Sequence, residues 1–142
     1  TIVFIDQITK FIIIDSIPLY QSIEVIPGIF NITYIRNPGA AFGLFGEESK
    51  LFRQIFLTGT SIFAIAAITC FYLKSKTSLV KLGLSLIVGG ALGNFIDRVL
   101  YGEVTDFLDL YLSSYHWPAF NIADSSITIG IGITIYAMYI KR

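Results

Sequence analysis

Residues 55–73 read IFLTGTSIFAIAAITCFYL, which is nineteen residues in succession without a charged side chain. About 20 apolar residues in a helix cross the hydrocarbon core of a bilayer, so this run predicts a transmembrane helix. The runs 82–96 and 122–140 are similarly apolar. The opening run, 1–17, is also apolar, and we expect it to be the end of a first span that starts before Thr1. The chain is therefore predicted to have four transmembrane helices, at about residues 1–17, 52–73, 79–98 and 121–140.

The composition of the 142 residues indicates the same class of protein. Apolar residues make up 54% and charged residues only 14%, whereas a soluble domain carries roughly 25% charged residues. We therefore predict one integral-membrane domain, 1–142, rather than a soluble or a disordered chain. Net charge is zero and no basic run is present, which argues against nucleic-acid binding. With one cysteine and one histidine, no metal centre of such residues and no cofactor are expected.

The lysine and arginine positions predict the orientation, because short loops rich in these residues stay in the cytoplasm. Segment 74–81 carries three lysines and no acid, and the chain ends with Lys-Arg at 141–142. Two predicted crossings separate these sites, so both lie on one side of the membrane. We expect both termini in the cytoplasm and the segments 15–50 and 97–121 on the outer face.

The first outer segment has strand character. Residues 29–35 are rich in β-branched and aromatic side chains, follow a Pro-Gly pair, and precede the turn sequence Asn-Pro-Gly at 37–39. We expect a small β-sheet on the outer membrane surface, within an outer cradle at about residues 18–50.

Two acidic residues near the outer membrane surface suggest catalysis. Asp106 lies in the sequence VTDF, and Asp124 lies at the start of the last helix, where Asn121 suits the N-cap position. A variant of the capping box explains Asp124 alone, but it does not explain a second acid at the same depth. Paired carboxyls that share a proton activate water and polarise a peptide carbonyl, as in aspartic proteases.

Other polar residues of the predicted spans each have two interpretations. Asp6 and Lys10 are spaced i, i+4 on a helix and form either a self-neutralising pair or part of a site. Asn94 and Arg98 lie near one face at the outer end of the third helix. Asp97 forms either a surface pair with Arg98 or part of the same site.

Small residues recur every four positions on the third and fourth helices, a pattern that allows close helix packing. We interpret these rows as packing faces. They comprise Ser85, Gly89 and Gly93 on the third helix, and Ser126, Gly130 and Thr134 on the fourth.

Rival chemistries have less support. A Ser/His/Asp triad needs His116, the single histidine, with Ser113 or Ser114 close beside it in sequence. A Ser/Lys dyad needs Lys10, which has Asp6 as a partner, or a lysine on the cytoplasmic side.

Five motifs follow one another along the chain, and each is weak alone. In this order and spacing the chain resembles the bacterial lipoprotein signal peptidases (signal peptidase II) over nearly its whole length. The motifs are DQITK (6–10), NPGAAFG (37–43), GGALGNFIDR (89–98), GEVTDF (102–107) and WPAFNIAD (117–124).

The resemblance implies a four-helix protease of the bacterial inner membrane, with an outer β-sheet cradle and a flap loop between Asp106 and Asn121. It assigns catalysis to Asp106 and Asp124. It assigns support of the site, or binding of substrate or inhibitor, to a further set of residues. These are Asp6, Lys10, Asn37, Asn94, Asp97, Arg98, Asn121 and Ala123.

The resemblance also implies a substrate. It is a prolipoprotein whose cysteine carries diacylglycerol, and the cut falls directly before that cysteine. No metal is implied, membrane lipid surrounds the enzyme, the cyclic peptide antibiotic globomycin is the expected inhibitor, and we expect a monomer.

Two alternatives stay open. A small transporter or channel would use Asp6, Lys10 and Asp97 as a polar pathway, although the polar residues gather at the outer helix ends. A non-catalytic assembly subunit would use the glycine faces, and it would keep its function after Asp106→Asn or Asp124→Asn.

Overall fold

The computed structural model describes residues 1–39 and 50–140. The second half of the NPGAAFG motif and part of the predicted cradle, 40–49, lie outside the described residues. The described chain forms helices α1 (Ile2–Ser16), α2 (Lys50–Lys74), α3 (Ser78–Tyr101) and α4 (Ile122–Ile140), and strands β1 (Ser22–Ile26), β2 (Phe30–Asn37), β3 (Val104–Leu112) and β4 (Tyr115–His116).

Three of the helices, α2, α3 and α4, are long and apolar enough to cross a membrane. Helix α1 has 15 residues and does not reach that length in the described chain, so a fourth span remains a prediction. No residue of α2 is buried, and large apolar side chains such as Phe63, Phe71 and Leu73 are mostly exposed. Exposed apolar side chains are favourable where lipid surrounds the helix, because exposing apolar surface to water costs free energy.

Helix α3 packs closely against α4 through glycines. Gly83, Gly90 and Gly130 are buried at this contact, and a Cβ atom at any of them would collide with backbone of the facing helix. The predicted row on α4 is part of this contact, since Ser126 Oγ donates a hydrogen bond to the carbonyl of Leu86 at 2.9 Å.

The predicted row on α3 is partly wrong. Ser85 is exposed. Gly89 faces Ile2 of α1, and Gly93 faces Asp6 of α1 and Ala123 of α4, so these two glycines lie at packing faces as predicted. Helix α3 packs against α1 and α2 as well as α4, and its glycines are divided between the contacts with α1 and with α4.

The strands form one antiparallel sheet in the order β1-β2-β3-β4. Its inner face packs on the end of α1, where Tyr34 and Phe107 contact Ile13 and Ile17. The predicted strand in the first outer segment corresponds to β2. The sheet therefore fixes β3 directly above the helix bundle.

The second outer segment differs from the expectation. The flap predicted between Asp106 and Asn121 is instead occupied largely by β3 and β4. Strand β3 pairs with β2 so that Asn31 lies opposite Asp109 and Ile35 opposite Asp106. A strand that gains its hydrogen bonds from a partner about 70 residues away leaves only a weak local signal in the sequence.

Candidate active site

Two different elements bring Asp106 and Asp124 together. Asp106 belongs to β3, and Asp124 lies in the first turn of α4. The chain just before α4 pairs with β3, because Phe107 and Leu108 donate their backbone N–H groups to the Phe120 carbonyl at 3.0 and 2.8 Å. This pairing holds the start of α4 beside the acid of β3.

Asn121 connects the two carboxyl groups. Its side-chain Nδ2 donates to Asp106 Oδ1 at 2.8 Å, and its backbone N–H donates to Asp124 Oδ2 at 3.2 Å. The Asp124 N–H donates in turn to Asn121 Oδ1 at 2.9 Å. These reciprocal bonds form the predicted capping box. Asn121 and Asp124 therefore cap α4 and also belong to the candidate site.

A second amide donates to each carboxyl group. Asn37 Nδ2 donates to Asp106 Oδ2 at 2.9 Å, and Asn94 Nδ2 donates to Asp124 Oδ1 at 2.8 Å. The turn after β2 orients Asn37, since the Gly39 N–H donates to Asn37 Oδ1 at 2.9 Å. Both acids therefore accept two N–H hydrogen bonds.

The Asp106 carboxyl has a strongly perturbed pKa. Burial raises the pKa of Asp106 to about 7, and the neighbouring Asp124 carboxylate also raises it, while the amides of Asn37 and Asn121 act in the opposite direction. A carboxyl with a pKa near neutrality exchanges protons readily at physiological pH, as acid–base catalysis requires.

A buried ion cluster lies beneath the two acids. Lys10 Nζ contacts Asp6 Oδ2 at 2.8 Å and Asp97 Oδ2 at 3.1 Å. Asp6 accepts the backbone N–H of Ala123 at 2.9 Å, and Asp97 accepts that of Thr105 at 2.9 Å. Each carboxylate thus holds the backbone directly before one of the paired acids.

Gln7 belongs to this cluster although no role was predicted for it. Its Nε2 donates to Asp97 Oδ1 at 3.0 Å and to the Gly93 carbonyl at 3.1 Å. Gln7 lies between Asp6 and Lys10 in the motif DQITK, and this position is the sequence feature from which a role for it could be predicted.

Nine of the ten predicted site residues form one network of hydrogen bonds and ion pairs, and their roles remain predictions. The exception is Arg98, whose Nη1 donates to Ser61 Oγ at 3.3 Å. The alternative of an Asp97–Arg98 surface pair is wrong, because Asp97 is buried and pairs with Lys10. The histidine His116 contacts Asp109 at 2.9 Å instead of a serine.

A groove of about 520 Å³ opens beside Asp124. Its wall is mostly apolar, so it offers space for an apolar ligand next to a carboxyl group. The lining residues are Leu110, Trp117, Phe120, Asp124, Ser125, Thr128 and Ile129.

The Thr105 hydroxyl yields a stability prediction. Thr105 is fully buried, and its Oγ1 has no hydrogen-bond partner among the described residues. We expect Thr105→Val to leave the Tm in detergent unchanged or to raise it, because an unsatisfied buried polar atom is removed. Thr33 is the matched control, since its hydroxyl bonds to Ser22 and Gln21. Thr33→Val should cost about 1–2 kcal/mol, and an equal loss in both variants would contradict the prediction.

Comparison with known proteins gives consistent matches over nearly the whole chain. The family model for signal peptidase (SPase) II matches residues 1–140. A lipoprotein signal peptidase of Syntrophus aciditrophicus is 45% identical over 99% of this chain and 89% of its own length. One from Geobacter metallireducens is 47% identical over 91% of this chain and 80% of its own. A solved bacterial membrane enzyme superposes with a TM-score of 0.85 at 42% identity, covering 96% of this chain and 86% of that one.

Proposed function

Since the chain belongs to the signal peptidase II family, and is thus a peptidase, we propose that it cuts diacylglyceryl-modified prolipoproteins directly before the lipidated cysteine. The observation that carries this proposal is the hydrogen-bonded connection of Asp106 to Asp124 through Asn121, beside the apolar groove. A signal peptide and acyl chains are both apolar, so they suit a groove of that kind.

The proposed reaction divides acid and base roles between the two carboxyls. Asp106 holds the proton, consistent with its raised pKa, while the N-terminus of α4 favours an ionised Asp124. Asp124 takes a proton from water as the oxygen attacks the scissile carbonyl carbon, and Asp106 protonates the carbonyl oxygen. On collapse, Asp124 passes its proton to the leaving nitrogen, and the intermediate hydroxyl returns one to Asp106.

The proposed membrane placement follows the lysine distribution. Both termini lie in the cytoplasm, α1 is part of a fourth span, and the paired acids lie at the outer face of the inner membrane. Asn94 and Arg98 lie near the outer end of α3, where we assign them to the substrate backbone or to the developing oxyanion.

A gel-shift cleavage assay in detergent or lipid tests the proposal. The purified protein receives prolipoprotein with and without diacylglycerol. We expect cleavage of the lipidated form alone, unaffected by a chelator and blocked by globomycin. If a well-folded protein cleaves neither form, the transporter or assembly alternative replaces the peptidase.

The pH dependence of kcat/KM follows from the pKa of Asp106. The working form needs a protonated Asp106, so raising the pH through about 7 removes that proton. We expect kcat/KM to fall roughly tenfold per pH unit above that value, because it reports groups of the free enzyme. The thermal transition is recorded at each pH to exclude unfolding. A kcat/KM that rises from pH 7 to 9 would contradict this assignment of the proton.

A further inference from the structure

The ammonium group of Lys10 has three acceptors in the interior. Its Nζ contacts Asp6 Oδ2 at 2.8 Å, Asp97 Oδ2 at 3.1 Å and Asn94 Oδ1 at 3.0 Å. The side chain is 2% exposed, and an ammonium has three N–H hydrogens to donate. Two of the contacts neutralise charge, which a buried cation requires. The third contact, to an uncharged amide, is not needed for neutralisation.

The contact with Asn94 fixes the orientation of its amide. Asn94 Oδ1 accepts from Lys10 Nζ and also from Asn121 Nδ2 at 3.1 Å. A flipped amide would place its NH2 group against two donors, and it would place its oxygen against the carboxylate of Asp124. Only the observed orientation lets Asn94 Nδ2 donate to Asp124 Oδ1 at 2.8 Å.

We propose that Lys10 is a positioning residue of the carboxyl pair, which acts through Asn94 by fixing the direction of its amide. The inference rests on the proposed function, because it assigns Lys10 a part in that same reaction. Lys10 itself has no contact with Asp106 or Asp124 among the described hydrogen bonds and ion pairs.

The same orientation extends to the other acid. Because Asn94 presents its oxygen to Asn121, the Asn121 amide group is held where it also donates to Asp106 Oδ1 at 2.8 Å. The buried cation therefore fixes the N–H donor toward Asp124, and together with the Asp124 N–H and the Thr105 carbonyl it orients the Asn121 donor toward Asp106 before substrate arrives. Donors that are oriented in advance need no reorganisation during the reaction, which is the source of their catalytic benefit.

A double-mutant cycle tests this role. Lys10→Met alone leaves two buried carboxylates without a counter-charge, so it is combined with Asp6→Asn, which restores the net charge of the cluster. An asparagine at position 6 still offers an oxygen to the Ala123 N–H. In the Asp6→Asn protein, kcat and KM for lipidated prolipoprotein are measured before and after Lys10→Met. The same comparison is then made in an Asn94→Ala background. The Asp6→Asn single variant is the control.

With Asn94 present, we expect the Lys10→Met step to lower kcat about 100-fold with KM changed by less than about threefold, the loss typical of a displaced catalytic group. In the Asn94→Ala background the same step should change kcat by less than about threefold, because the route of its action is already absent. Equal losses in both backgrounds, a change in KM alone, or loss of the thermal transition in the charge-balanced variant would overturn the proposal. A wild type that fails to cleave would refute the proposed function itself.

Discussion

Replacement of either Asp106 or Asp124 by asparagine is expected to lower kcat for prolipoprotein cleavage by at least about a thousandfold, within the range that acid–base groups contribute. Asparagine has nearly the same size as aspartate and keeps one oxygen acceptor. It neither takes a proton from water nor supplies one to the scissile carbonyl. The kcat of the double variant should be about equal to that of the slower single variant. Two groups that act as a unit lose their joint effect when either one is removed.

Asp109 offers a matched control on the same strand as Asp106. It is also buried, and its carboxylate accepts from Asn31 Nδ2 at 2.9 Å and contacts His116 at 2.9 Å. Among the described hydrogen bonds, Asp109 has none to Asp106 or Asp124. Asp109→Asn therefore removes a buried charge from the sheet and leaves the contacts of the paired acids in place. We expect kcat within about twofold of wild type and a lower Tm. Similar losses in Asp109→Asn and Asp106→Asn would assign the effect to the sheet and not to catalysis.

The residues that the sequence places correctly are those with local patterns. Asn121 and Asp124 are three positions apart and match a capping box, and the structure has that box. Asp6 and Lys10 are one helical turn apart, and they form the ion pair that this spacing allows. These predictions need no knowledge of the tertiary structure, because both partners lie on one element.

The contacts that join distant segments could not be predicted in the same way. The i, i+4 pattern does not show that Lys10 also reaches Asp97 and Asn94, which lie on α3. Strand β3 forms through its register with β2, which its own sequence does not reveal, and the family resemblance implies a flap in this part of the chain. The face of α3 toward α4 depends on three neighbouring helices, whereas the small-residue spacing identifies only that a close contact exists.

Gly90→Ala is expected to lower kcat by about a hundredfold, although Gly90 has no polar side chain. A methyl group there would collide with the carbonyl oxygen of Ala123 and with Ile127, both on α4. The carbonyl belongs to backbone and has no rotamer to change, so α4 must move away from α3. Ala123 directly precedes Asp124, which places the displacement at the paired acids. A shift of about 1 Å in a catalytic group is enough for a loss of this size.

Gly132→Ala is the matched control, because a methyl group on Gly132 of α4 meets no atom within 4 Å. The two substitutions are chemically identical, and both replace a glycine within a helix. We expect Gly132→Ala to keep kcat within about twofold of wild type and to raise the Tm slightly, since alanine favours a helix over glycine by about 1 kcal/mol. Gly90→Ala should lower the Tm, because overpacking costs about 1–3 kcal/mol. Equal activity of the two variants would mean that the carboxyl pair tolerates separation of α3 and α4, and that the glycine contact serves folding alone.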